Sequence, residues 1–253
     1  MSNGTNPKNH ETPSKYVDMI GQDDVPHLSP PHISAEDLKE LEDSIQPHQR
    51  KARTKGIPSL GSGAIYPVDE DAIFVEPFPI PEHWERAYAM DVGWNKTAAL
   101  FGARDPDTSI TYLTAEYYHG EQLPAVHAHA IRSMMLWEYT GAMDPAARGR
   151  SQRDGRRLMQ EYQDLALNLV AANNAVSAGI HRCLMLMQGG LLKAFSTLTN
   201  FKTELRLYRR DENGKIVKER DHLMDDMRYL MNTDGVFRTE PQNRALSARQ
   251  GEW

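Results

Sequence analysis

"RAYAMDVGWNKTAALFGARD", residues 86–105, decides how this chain is read. An apolar strand through Tyr88, Ala89 and Met90 runs into a carboxylate, Asp91. Glycine and tryptophan follow, and a second strand-like run, Thr97 to Gly102, comes next. An aspartate in that position is either a turn former or part of a site, because open sheets place ligands beyond their strand ends.

Outward from this stretch the pattern alternates. Strand signals fall at 86–92, 97–103 and 109–117, with "ARDPDTSI" as the turn between the last two. Pro124 opens a helix expected over 123–138. "TGAMD", 140–144, is a short strand ending on a second aspartate, Asp144. Leu158, Met159, Tyr162 and Leu165 recur at helical spacing. "NLVAANN" reads as a strand, "SAGIHRCLMLMQGG" as a helix stopped by glycines, 192–196 as a strand, and 199 onward as a helix. Asn213-Gly214 marks a hairpin turn, and a last helix starts near Asp221. Three strands followed by alternating helices and strands predict an α/β mixed sheet opened by an antiparallel meander. No internal repeat is present.

Composition narrows the class. The 253 residues are 40% hydrophobic, enough for a core, and no apolar run reaches the roughly 18 residues of a membrane span. The polar N-terminus is no secretory signal. One cysteine, Cys183, excludes an internal disulfide and a multi-cysteine zinc site. The net charge of -6 argues against general nucleic-acid binding, but the charge is segregated. Residues 1–50 carry 4 Lys/Arg and 9 Asp/Glu; residues 145–220 carry 14 and 7. A local basic surface attracts polyanions even on an acidic protein.

Carboxylates gather at three places. Asp91 and Asp144 each end a predicted strand. Asp221 and Asp225 are four apart in "DHLMDDMRYLM" and share a helix face. Leu223, Met227 and Leu230 would dock that helix on the sheet. If it crosses near the strand ends, Asp91, Asp144 and Asp225 meet. Clustered carboxylates repel one another and need cations, and hard oxygen donors select Mg²⁺ or Mn²⁺. Two such ions suit phosphodiester hydrolysis. The plain readings are that Asp91 and Asp144 form turns, Asp221 caps a helix and Asp225 is a solvated acid.

Several stretches in order, "DVPHLS", "RTKGIPSLGSGAIYPV", "AMDVGWNKTAA", "MDPAARGRSQRDGRRLMQEY" and "IVKERDHLMDDMRY", resemble the C-terminal nuclease part of the large terminase subunit of tailed bacteriophages, over about residues 23–232. The resemblance implies a ribonuclease H-like fold and a metal-dependent DNA endonuclease. It places the family's acids on Asp91, Asp144 and, within a His-x-x-Asp motif starting at His222, on Asp225. Asp221 becomes an accessory acid, and Asp225 is preferred to Asp226. Lys218 and the Asn213-Gly214 hairpin resemble a hairpin that gates DNA access. Double-stranded DNA, an ATPase domain, a small terminase subunit and a portal protein are the implied partners, and the host cytoplasm the implied location. The chain has no G-x-x-x-x-G-K-[ST] phosphate loop. On this reading residues 1–50 are a polar tail and remnant of an ATPase domain, 51–70 a linker, 71–235 the nuclease domain and 236–253 a C-terminal tail.

Arg148, Arg150, Arg153, Arg156 and Arg157 crowd the segment after Asp144 and are expected to hold phosphates. Trp94 is expected to pack beneath the site. His127 and His129 point to different helix faces and make poor metal partners. The run Leu184–Met187 reads as core. Two rival functions are a non-cleaving, DNA-gripping and portal-docking module, and another nuclease of the same fold such as a junction resolvase or transposase.

Overall fold

A computed structural model of the protein describes residues 63–148 and 158–239, together with Ser34, Glu36 and Lys39. The chain divides into two compact units, 1–44 and 45–253. In the first, Glu36 and Lys39 are helical.

The second unit starts with a one-turn helix α1 (Glu70–Ile73) and a two-residue strand β1 (Phe74–Val75). The meander follows: β2 (Glu85–Val92), β3 (Thr97–Arg104) and β4 (Thr111–His119). Then come α2 (Pro124–Ser133), β5 (Thr140–Met143), α3 (Leu158–Asp164), β6 (Asn168–Ala171), α4 (Val176–Gln188), β7 (Leu192–Phe195), α5 (Thr199–Leu207) and α6 (His222–Asn232). The seven strands form one sheet in the order β1-β7-β4-β3-β2-β5-β6. Only β3 runs against its neighbours. The mixed sheet opened by an antiparallel meander is therefore as expected.

The central strands read as unbroken apolar runs because both of their faces are covered. Residues 86–90 of β2 and 97–103 of β3 are buried throughout. Alternation along each strand sorts the side chains. Ala87, Ala89, Ala98, Leu100 and Ala142 join the core under α4, α5 and α6. Tyr88, Met90, Phe101 and Met143 join the core under α2 and α3. Helix α6 lies against β2, β3 and β5 and is covered in turn by α4 and α5. Leu223, Met227 and Leu230 dock it as expected, with Asp226 on the same face, and its other faces are buried too, including Arg228 and Tyr229. Small sheet residues let it come close: a Cβ on Gly102 would stand 2.9 Å from Leu230 Cδ2.

Three boundaries differ from the sequence reading. Helix α2 stops at Ser133, not near 138, because Trp137 and Tyr139 turn into the core and pack edge to face, 4.8 Å between ring centroids. Residues 63–70, expected in the linker, contribute buried Ile65, Tyr66 and Val68 to the main core. Val236 and Phe237, expected in the tail, are buried in the same core. The Arg86 amide donates to Arg238 O at 2.7 Å and the Arg238 amide to Arg86 O at 3.1 Å, which fastens the segment after α6 to the start of β2. The tip at 211–215 turns as expected. Asp211 Oδ1 accepts from the Asn213 and Lys215 amides, and Gly214 supplies a φ of 77°. Among the described residues no helix is long and apolar enough to cross a membrane.

Candidate metal and phosphate site

Strands β2 and β5 are parallel neighbours in a register that sets Met90 beside Met143. The next residue on each is a carboxylate, so Asp91 and Asp144 come out side by side at one edge of the sheet. Both follow an alanine two residues back on the α6 face, Ala89 and Ala142, and alternation sends Asp91 to that face.

Helix α6 begins at the same edge. His222, its first residue, brings Nδ1 to 2.7 Å from Asp91 Oδ2. That hydrogen bond holds the His222 pKa above the ordinary imidazole value, against the opposing effect of burial. Asp225, one turn on, is paired twice: its Oδ1 accepts from Arg228 Nη2 at 2.9 Å and its Oδ2 lies 3.3 Å from Lys218 Nζ. Lys218 also stands 2.9 Å from Asp221 Oδ2. Burial works against the charge on Lys218, but these two carboxylates outweigh it and raise its pKa. The expected hairpin lysine thus lies within the carboxylate cluster.

A chain of side-chain hydrogen bonds joins Asp225 to Asp144 through buried Arg228 and exposed Asn174. The Arg228 guanidinium, 1% exposed as a residue, donates through Nη1 to Asn174 Oδ1 at 2.8 Å, and Asn174 Nδ2 faces Asp144 Oδ1 at 3.4 Å. Asp144 Oδ1 also accepts from the Ala146 amide at 2.9 Å, so the turn-forming role and the site role coexist. Room for Arg228 comes from α4: a Cβ on Gly179 would fall 2.3 Å from Arg228 Cγ. Tyr229 reports the convergence. Burial raises its pKa, and the negative charges of Asp225, Asp144 and Asp91 all raise it further.

The structure therefore brings Asp91, Asp144, Asp221, His222, Asp225 and Lys218 to one edge. It does not close them into a cage: among the described residues no group of three or more His, Cys, Asp or Glu is placed to hold an ion. The donor set still fits a hard divalent cation. All the acids offer oxygen, and Asp91 and Asp144 use one oxygen each for hydrogen bonds among the described residues.

Three participants escaped the sequence reading. Asn174 and Arg228 form the bridge between Asp144 and Asp225; Arg228 is three residues from Asp225, a spacing that signals a helix-face pair. Glu204 on α5 accepts from the Leu223 and Met224 amides and from the Tyr118 hydroxyl, fixing where α6 starts. Asp226, to which Asp225 is preferred from the sequence, is fully buried, and neither of its side-chain oxygens has a hydrogen-bond partner among the described residues. Burial, then the charges of Asp91, Glu204 and Asp225, push its pKa well above the ordinary carboxylate value. Trp94 corrects another expectation. It is 67% exposed rather than packed beneath the site, because the four residues that join β2 to β3 leave its ring beyond the sheet edge. Of the run at 184–187, Met187 is core and Met185 is exposed. His127 is buried against Tyr117, apart from the acids. Arg148 ends a short 3₁₀ turn (Pro145–Arg148) straight after Asp144. Arg150, Arg153, Arg156 and Arg157 lie outside the described residues.

Comparison with known proteins gives one consistent result. The family model described as "Terminase RNaseH-like domain" matches residues 88–233. The terminase large subunit of Enterobacteria phage LP7 is 32% identical over 211 residues, 78% of this chain and 43% of its own length. The chain thus spans less than half the length of that relative. The solved nuclease domain of the P22 large terminase is 30% identical, with a TM-score of 0.64, over 72% of this chain and 97% of that one. The large terminase nuclease of thermophilic phage G20c, solved with bound magnesium, shares the fold at 14% identity and a TM-score of 0.50, over 67% of this chain and 96% of that one.

Proposed function

The chain belongs to the Terminase RNaseH-like domain family, and we propose that it is a metal-dependent endonuclease module of a viral DNA-packaging terminase, cutting concatemeric double-stranded DNA. The observation that carries this reading is the adjacency of Asp91 and Asp144 on parallel strands, with His222 and Asp225 of α6 set over the same edge.

In this reading Asp91, Asp144 and Asp225, with Asp221 as an accessory, hold Mg²⁺ or Mn²⁺, in two ions. Bound there, the metal supplies an acidified water and neutralises charge developing on the phosphate. The chain's own groups do the rest. His222 orients Asp91, as groups behind metal ligands commonly do. Arg228 and Asn174 fix Asp225 relative to Asp144 from behind. Lys218, its side chain 64% exposed, shields Asp221 and Asp225 from each other and can exchange that role for a phosphate contact. Arg148, Arg150, Arg153 and Arg156 are proposed to hold the backbone of the duplex without reading its sequence. An ATPase domain, a small terminase subunit and a portal protein are the proposed partners, in the host cytoplasm.

One observation favours a second reading, a DNA-gripping and portal-docking module that does not cut alone: Asp225 is already neutralised by Lys218 and Arg228. Nicking of supercoiled plasmid separates the two. The endonuclease reading expects nicking with Mg²⁺ or Mn²⁺, abolished by chelator and by Asp91→Ala. Plasmid that is bound yet stays intact with both metals would reject cutting by this chain and favour the gripping reading.

A further inference from the structure

The edge that carries Asp91 continues past it on the side away from β5. Val92 pairs with Thr97, and Thr97 with His119, so the β2–β3 tip and the end of β4 lie in one row. Beside that row is a cleft of about 480 Å³, lined among others by Asn95, Lys96, Tyr118, Asn200, Arg220 and His222. It therefore opens onto the residue that holds Asp91. The rings of Tyr118 and His222 meet edge on at 6.3 Å, which makes them a shared wall of cleft and site.

The charges in the cleft are unequally engaged. Its acid, Glu204, and the neighbouring Glu116 are both turned inward. Glu204 accepts from the Leu223 and Met224 amides and the Tyr118 hydroxyl. Glu116 accepts from the Asn200 and Phe201 amides and from Asn200 Nδ2. The cations are not so used. Lys96 Nζ lies over the Tyr118 ring, 4.4 Å from its centroid, and has no ion-pair partner among the described residues; nor has exposed Arg220. Arg220 is held in the left-handed region, φ 53°, an uncommon setting for a long side chain. The loop that carries Asn95 and Lys96 is pinned by the Glu121 amide, which donates to Trp94 O at 2.8 Å, and Trp94 in the same loop is exposed.

We propose that this cleft is a backbone subsite for nucleic acid, in which Lys96 and Arg220 contact phosphates of the strand that leads to Asp91. The subsite rests on the endonuclease reading for its ligand class, and it lies on the opposite flank from the turn that ends in Arg148. Phosphates held on both flanks would set a duplex across the strand ends, and the contacts, being to backbone, would be indifferent to sequence.

A labelled duplex titrated in chelator at several salt concentrations tests this, with Lys96→Ala, Arg220→Ala and the double variant. Arg132→Ala, on α2, is the control. Each cleft substitution should make the log–log salt dependence shallower by roughly 0.9, and the double variant by roughly twice that. In the nicking assay KM should rise with kcat little changed, and Lys96→Arg should restore binding. Thermal melts of every variant separate these effects from unfolding, and Arg220→Ala, at an exposed position, tests the cleft even if a Lys96 variant melts early. Wild-type protein that binds DNA alongside a folded double variant with unchanged slope and KM would overturn the subsite alone. Wild-type protein with no affinity for DNA would overturn the endonuclease reading and the subsite together.

Discussion

On the α2 and α3 face of the sheet, Tyr88, Met90, Phe101, Tyr117 and Met143 fill the gap between strands and helices; on the α6 face, Ala87, Ala89, Ala98 and Ala142 leave room for the helix to descend. The polar inventory differs to match. The first face buries His127, satisfied by Tyr117 at 2.7 Å. The second buries Glu204, Asp226 and Arg228. Large apolar side chains build stability through interlocking volume. Small ones let a helix carrying charges approach the strand ends, at an energetic cost that charges incur when taken from water. Both faces are packed, but the α6 face alone combines its core with buried carboxylates and a buried guanidinium.

The largest effect should come from the acids at the edge. Asp91→Ala or Asp144→Ala is expected to reduce plasmid nicking to background while leaving the melting temperature without metal unchanged or higher, since carboxylate repulsion is relieved. Full cutting by both folded variants would break the assignment of chemistry to this face. Next, Arg228→Lys keeps a cation but cannot serve Asp225 and Asn174 together. Nicking should fall about 10- to 100-fold, the range typical for groups that support metal ligands. Isothermal titration with Mn²⁺ should show weaker binding; unaltered metal affinity would mean that Arg228 serves only packing.

On the other face, Ile131→Ala should cost about 2–5 kcal/mol in urea unfolding, with nicking per folded molecule unchanged. A specific loss of activity there would blur the distinction between the faces. Asp226→Asn should raise stability without metal at neutral pH, because burial raises the carboxyl's pKa and so makes it destabilising above the ordinary carboxylate range, a cost the neutral amide avoids; a lower melting temperature would show that Asp226 is engaged. The smallest expected effect is a pH dependence. Burial depresses the His127 pKa, with His119 adding to it. The unfolded chain then binds the extra proton, so stability is intact above the ordinary imidazole value and falls as pH drops from there towards the depressed one. His127→Gln should flatten that limb of the stability curve. An identical acid limb in the variant would assign it to other groups.

What was legible in the sequence follows the same division. Strand and helix periodicity exposed the meander, the later strands and the docking stripe of α6, because burial imposes a repeat on residue type. The ends of β2 and β5 stood out because a carboxylate interrupts an apolar run. Helix α1 and strand β1 were missed, since four and two residues are too short to show a period. Asn174, Glu204 and Arg228 were missed for another reason. Each acts on a residue distant in sequence or across a helix turn, and only the close approach of α6 brings the partners together. Trp94 was misplaced because an aromatic residue beside a buried strand usually packs, whereas a tight connection turns this one outward.

The paired amides of Arg86 and Arg238 give β2 and α6 a second junction, five residues and roughly 17 Å along the strand from Asp91. Exchange of those two protons with solvent requires the segment after α6 to lift from β2. The helix is also tied at its start, where His222 meets Asp91. Hydrogen-exchange rates at Arg86 and Arg238 would therefore act as a remote clock for opening of the helix, legible without touching a single carboxylate. If ligands at the acidic edge tighten α6, the clock should slow.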